Sequence, residues 1–310
     1  MIPKFKLNLL LGIFCFYFFN EGNAQSTNYR FQIKDTNDLK SFFRYTPDRI
    51  PLLCGHRGGI TPMFPENSIA AFENTLSKIP AFFEVDPRLT KDSVVVVLHD
   101  ATLDRTTNGT GKLSDYTWKE IQKLKLKDPE RNITEHSIPT LDEVLEWARG
   151  KTILMLDKKD VPLSFILNKI NDHNAESYVL VSSYNASEAA FYHEHNKDVM
   201  FEAFITTMEK MKTYEDAGIP WENIVAYLGQ PKEKELYDAL HQRGVMCIVY
   251  TKPVLEKIKN KGEGMAAYRE AIEGGADILL SDKIFEVSES IQSLMPEDSR
   301  KDKFFGKRNY

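Results

Sequence analysis

Three short stretches concentrate the side chains that could handle a phosphoryl group. Cys54-Gly55-His56-Arg57-Gly58-Gly59, Glu84-Val85-Asp86 and His99-Asp100 each follow or end an apolar run, which places ionisable groups where a buried strand meets solvent. Glu84 and Asp86 are two apart, so in a strand they project to one face. Two like charges that close are unfavourable unless a cation or a proton sits between them. Carboxylate oxygens suit Mg2+ or Ca2+ better than zinc, which prefers nitrogen and sulfur. Asp157 ends the run from Ile153 in the same way and is the natural third ligand. Lys159, two residues on, faces the same cavity if the strand persists. His56 and His99 can exchange protons near neutral pH, one as acid and one as base. Gly58 and Gly59 let the backbone turn tightly beside a ligand.

These groups need strands to carry them. Candidate strands are Leu52–Cys54, Phe82–Asp86, Val94–His99, Ile153–Asp157, Tyr178–Ser182, Val199–Phe204, Ile224–Leu228, Val245–Thr251 and Asp277–Leu280. Most are short continuous apolar runs, as expected of strands covered on both faces. Helical patterns separate many of them. Ser68–Ser77 has Asn67 as its expected N-cap. Leu141–Ala148 follows Thr140, with Glu143 completing a capping box. Ala266–Ile272 ends at Gly274-Gly275, a helix stop. Such alternation means parallel strands with crossover helices, and about 230 residues of it predict a (β/α)8 TIM-type barrel, one domain spanning 51–295. Nine candidates compete for eight places. Ile224–Leu228 and the closely spaced pair Phe82–Asp86 and Val94–His99 are the weakest.

The ends of the chain read differently. Lys4 and Lys6 precede an apolar run from Leu7 to Phe19, and Gly22-Asn23-Ala24 offers small residues for a cut. This is the pattern of a secretory signal peptide over 1–24, which predicts a secreted or periplasmic protein. The run is shorter than the roughly 20 residues of a membrane span. Residues 25–50 form an extension with a short helix around Leu39–Phe43 covering the barrel floor. The charged tail 296–310 is expected to fray. A net charge of -5 argues against nucleic acid as a partner. Cys54 and Cys247 sit in apolar runs and read as buried free thiols.

Other residues carry plainer readings. His193 and His195 are two apart in a helical pattern and cannot clamp one metal. His136, His173 and His241 lie in polar surroundings and read as exposed. Asn108-Gly109-Thr110-Gly111-Lys112 lacks the strand–helix context of a phosphate loop and reads as a turn. Lys119–Lys127 reads as a solvated face.

The order His56-Arg57-Gly58, Pro65-Glu66-Asn67-Ser68, Glu84-Val85-Asp86, His99-Asp100, Leu103-Asp104-Arg105-Thr106-Thr107-Asn108-Gly109 and Ile138-Pro139-Thr140-Leu141 resembles the glycerophosphodiester phosphodiesterases. The resemblance runs from about Leu52 to Asp282 and is densest through Leu141. It implies a TIM-type barrel with a small insertion after the third strand, about 100–138. It also implies a divalent metal and hydrolysis of a small-molecule glycerophosphodiester to glycerol 3-phosphate and an alcohol. Carried over by position, Glu84 and Asp86 bind metal, His56 and His99 exchange protons, Arg57 holds phosphate and Glu66 is a carboxylate just behind the site. The family's Glu-x-Lys appears here as Asp157-Lys158-Lys159. Its Trp-Thr-Val-Asn appears as Tyr250-Thr251-Lys252-Pro253 and its Thr-Asp-x-Pro as Ser281-Asp282-Lys283-Ile284. A lysophospholipase D-like or other phospholipase is the alternative, which predicts an apolar patch or loop at the barrel mouth. A barrel that only binds a phosphorylated ligand is a third reading, opposed by the intact histidine and carboxylate pairs.

Overall fold

A computed structural model describes residues 29–306; the expected leader and the last four residues lie outside the described residues. The strands are β1 Leu52–His56, β2 Phe82–Val85, β3 Pro87–Leu89, β4 Val95–Val97, β5 Leu154–Leu156, β6 Val179–Ser183, β7 Met200–Phe204, β8 Ile224–Gly229, β9 Cys247–Tyr250 and β10 Ile278–Ser281. Eight of them close into a parallel barrel in the order β1-β10-β9-β8-β7-β6-β5-β2. The last pairing returns β2 to β1, with His56 beside Glu84. Helices cover the outside and run back between the strands. The expected barrel is therefore observed, and no helix among the described residues is long and apolar enough to cross a membrane.

Alternation along each strand sorts the side chains. Leu52, Cys54, Phe82, Met155, Leu180, Met200, Val225, Ile248, Ile278 and Leu280 belong to the barrel interior. Their neighbours Leu53, Phe83, Leu154, Val179, Phe201 and Leu279 pack against the helices. A period of two with both faces buried explains why the strands read as unbroken apolar runs. Cys54 and Cys247 are buried free thiols.

The ninth candidate resolves against Val94–His99. Its core, β4, pairs antiparallel with β3 outside the barrel. Only Asp86 to Val94 separate it from β2, too few residues for a crossover helix. The stretch about 100–138 thus falls between the second and third barrel strands rather than after a third. It holds a small core of its own, with Leu98, Leu103, Leu113, Ile121, Leu126 and Ile138 around Val96. Ile224–Gly229, weak in the sequence, is a full barrel strand between β7 and β9.

Helix starts agree with capping chemistry, with one shift. Thr140 and Glu143 form the expected capping box of Leu141–Ala148. The helix after β1, Ile69–Leu76, is capped by Ser68, whose side chain accepts from Ala71 N–H. Asn67 is one residue too early and spends its amide on Asp86 instead.

The floor is closed from both ends of the chain. The first helix, α1 (Thr36–Phe43), buries Leu39, Phe42 and Phe43, with Phe43 edge-on to Phe82 at 5.5 Å. The tail does not fray there. Phe304 is buried 5.7 Å from Phe42, Phe31 bridges to Phe305, and Lys301 is 3% exposed. The Lys301 ammonium donates to the carbonyls of Ser41 (2.8 Å), Phe42 (2.6 Å) and Arg44. Those carbonyls, at the end of α1, have no partner within the helix. Charge composition hid this role, because a lysine on three carbonyls and buried phenylalanines help hold the segment. His241 is likewise not free: it stacks on Tyr45 at 3.7 Å and reaches Asp277 at 2.9 Å. His173 reaches Asp142 at 2.7 Å.

Candidate active site

Where the interior positions reach the C-terminal ends of the strands, the apolar fill stops. The inward series continues as His56 from β1, Glu84 from β2 and Asp86 just after it, Asp157 after β5 and Asp282 after β10. On the other side of the mouth it continues as Tyr184, Phe204, Tyr227 and Tyr250, from β6 to β9. One half of the mouth is ionic. The other half is aromatic, with Phe204 4.2 Å from Tyr184 and 4.3 Å from Tyr227 by ring centroid. Catalytic groups of TIM barrels gather at this end.

The turn after β1 sets Arg57. Its φ is +54°, followed by Gly58 at +101° and Gly59 at +83°. A Cβ on Gly59 would meet Ile284 at 2.6 Å, and one on Gly58 would press on Ala71 and Phe72 at 3.0 Å. The glycines therefore serve conformation and close packing together. The turn aims the Arg57 N–H at Glu84 Oε2, 3.2 Å away, and brings the Arg57 guanidinium to Glu66 at 3.1 Å and Asp86 at 3.3 Å.

The sequence-predicted ligands converge. Carboxylate oxygens of Glu84, Asp86 and Asp157 lie within 4.8 Å of one another. The Lys159 ammonium stands among them, 2.9 Å from Asp86 and paired with Asp157. Burial, then the charges of Asp86 and Asp157, push the Glu84 carboxyl well above its ordinary range. Burial also acts on Asp86, but Lys159 and Arg57 outweigh it and hold that carboxyl low. Carboxylates gathered this closely in a buried site favour a cation among them. Hard oxygen donors converging on one point fit Mg2+ or Ca2+.

Each predicted histidine has a carboxylate at Nδ1. His56 Nδ1 lies 2.5 Å from Asp282 Oδ1, and its Nε2 lies 3.8 Å from Glu84. His99 Nδ1 lies 2.7 Å from Asp100 Oδ1. Burial lowers the His99 imidazole below its ordinary value against the pull of Asp100. Arg105 joins Asp100 to Glu66, at 2.7 Å to each. Burial raises the Glu66 carboxyl, yet Arg105 and Arg57 together bring it below its ordinary value.

Several contributors were given no part in the site by the sequence. Asp282 sat in a recognised segment without a function. Asn67 donates to Asp86 at 2.6 Å, and Tyr184 donates to Asp157 at 2.6 Å. Glu202 points inward below the mouth, hydrogen-bonded by Ser182, and burial pushes its carboxyl up to about 8. An acid inside Met200-Phe201-Glu202-Ala203-Phe204 was the available signal.

A sequence profile of the glycerophosphoryl diester phosphodiesterase family matches residues 56–283. The glycerophosphodiester phosphodiesterase of Caldanaerobacter subterraneus subsp. tengcongensis is 38% identical over 143 residues, which cover 43% of this chain and 58% of that protein. The chain thus spans little more than half the length of this curated relative. A glycerophosphoryl diester phosphodiesterase structure from Parabacteroides distasonis has 52% identity and a TM-score of 0.88, covering 91% of this chain and all of that one. A phosphodiesterase from Oleispira antarctica, solved with the product sn-glycerol-3-phosphate, shares the fold at 20% identity and a TM-score of 0.60, over 78% of this chain and 97% of that one. Fold and site together define a parallel (β/α)8 barrel with a mouth lined by carboxylates and histidines. The chain belongs to the glycerophosphoryl diester phosphodiesterase family.

Proposed function

We propose that this chain hydrolyses glycerophosphodiesters to glycerol 3-phosphate and an alcohol. The observation that carries the reading is a pair of carboxylate-held histidines, His56 on Asp282 and His99 on Asp100, at a mouth that also gathers Glu84, Asp86, Asp157, Arg57 and Lys159. Glu84, Asp86 and Asp157 would hold a Mg2+ or Ca2+ ion, which when bound supplies Lewis-acid polarisation of a phosphoryl oxygen.

The remaining work falls to the protein. Arg57 and Lys159 bind phosphoryl oxygens and stabilise the charge that spreads over them in the transition state. One histidine takes the proton from the nucleophile and the other delivers a proton to the departing oxygen. Asp282 and Asp100 hold the rings by Nδ1 and leave Nε2 to face the substrate. The nucleophile is the 2-hydroxyl of the glycerol unit. Its oxygen bonds to phosphorus as the bond to the alcohol breaks, giving a cyclic phosphate that water opens to glycerol 3-phosphate. Holding hydroxyl and phosphorus in one molecule contributes several kcal/mol.

Glycerophosphocholine turnover, measured with and without chelator, tests the reading. Choline and glycerol 3-phosphate should form, stop on chelation and resume with Mg2+ or Ca2+. A fully active protein with no bound metal would remove the carboxylate cluster from the mechanism. Equal kcat/KM for analogues with hydrogen in place of the 2-hydroxyl would leave direct attack by water.

A further inference from the structure

The large apolar side chains left exposed are distributed with a bias that the reaction does not explain. Ile60 and Met63 follow β1, and Ile133 lies in the insertion. Phe165 and Met208 lie in the first turns of the helices after β5 and β7. Val254 follows β9, and the remaining one, Tyr184, already stands at the mouth. All occupy segments that leave a strand and enter the next helix, and these form the rim of the mouth. Among the described residues, no large apolar side chain is left exposed on α1 or beyond the first turn of a barrel helix. Scattered single apolar residues need no explanation; six besides Tyr184, all in strand-to-helix segments, do.

Charge on the same rim selects the partner. The loop Lys252-Pro253-Val254-Leu255-Glu256-Lys257-Ile258-Lys259-Asn260-Lys261 carries four exposed lysines in a chain of net charge -5; Lys252 pairs with Asp282 at 2.6 Å and Lys261 with Glu289 at 3.3 Å, so Lys257 and Lys259 carry the positive face. Its acid, Glu256, is turned inward, accepting from Thr251 Oγ1 at 2.5 Å, Ser281 Oγ at 2.7 Å and the Asp282 N–H at 3.1 Å. Leu255 is buried and pins the loop. The loop therefore shows solvent a positive face with Val254 exposed on it, and Asp282 links it to the other loop, its N–H donating to Glu256 and its carbonyl accepting from the Ile60 N–H at 2.7 Å. Exposed apolar side chains beside a lysine-bearing loop fit an anionic bilayer surface, where apolar insertion and lysine attraction act together.

We propose that the mouth docks on anionic phospholipid membranes through the loops 57–64 and 252–261. The proposal does not rest on the catalytic reading, because binding is read without turnover. Hydrogen exchange of the full chain, with vesicles of equimolar phosphatidylglycerol and phosphatidylcholine and with phosphatidylcholine alone, tests it. Protection should appear in 57–64 and 252–261 with the anionic vesicles only and weaken with salt. The double variant Lys257→Glu, Lys259→Glu should partition about 10-fold more weakly or worse, with glycerophosphocholine turnover unchanged. Protection confined to residues 1–28, protection equal on both vesicles, or a double variant that binds like the native chain would each overturn the proposal.

Discussion

Asp282 and His56 meet across the seam that closes the barrel, Oδ1 to Nδ1 at 2.5 Å, from positions 226 residues apart in the chain. Burial raises the Asp282 carboxyl, but His56 and then Lys252 outweigh it and keep it below the usual carboxylate range. An ionised Asp282 holds the proton on Nδ1 and leaves Nε2 of His56 as the working nitrogen. Asp282→Asn should therefore lower kcat by about 10²–10⁴ with little change in KM. Steady-state kinetics beside a native circular dichroism spectrum checks this; unchanged kcat would free His56 from its dependence on Asp282.

The second histidine should matter as much. His99→Ala should cut kcat by roughly 10²–10⁴ with an intact fold. His193, near the floor end of the helix Ala186–His195, is the control, and His193→Ala should run at the native rate. Near-native kcat for His99→Ala would end the acid–base pair.

Glu202 gives the metal-free protein a pH signature. The folded carboxyl keeps its proton up to about 8 because it is buried, with Asp157 adding to the shift and the Ser182 hydrogen bond opposing it. The unfolded chain releases that proton near pH 4.3. Between those values the folded state binds more protons, so this group makes stability fall as pH rises, by up to about 1.4 kcal/mol per unit. Below the unfolded value the contribution is level. Denaturant melts of chelated protein should show native and Glu202→Gln stabilities diverging from about pH 5 to 8, with the native chain losing ground. Parallel curves would mean that Glu202 is ionised in the fold.

The tail should be structural rather than ornamental. Phe304→Ala should destabilise the barrel by about 3–5 kcal/mol, because Phe304 fills the floor against Phe42. At temperatures where the variant stays folded, kcat should be native, since the site opens at the other end. A variant melting with the native chain would return the tail to a loose appendage.

What could be read from the chain depended on distance. Glu84 and Asp86 were legible because a strand's period of two is a local property, as were the capping box at Thr140 and the three-residue stretch Asp157-Lys158-Lys159. Asp282 lies beside His56 only because β10 closes on β1, and no spacing announces that pairing. Val94–His99 misled because β4 is buried on both sides like a barrel strand, by the small core of the insertion on one side. Lys301 was invisible for a related reason: its three acceptors are backbone carbonyls, which every residue carries.

The floor has a consequence for how the molecule can be handled. The Gly306 N–H reaches the Arg30 carbonyl at 3.1 Å, so the two ends of the described chain lie side by side beneath the barrel. Joining them with a short linker and opening the chain within a surface loop should give a circular permutant with the same barrel. A resin or fused carrier attached at either end would hold the molecule by its base, with the mouth turned outward.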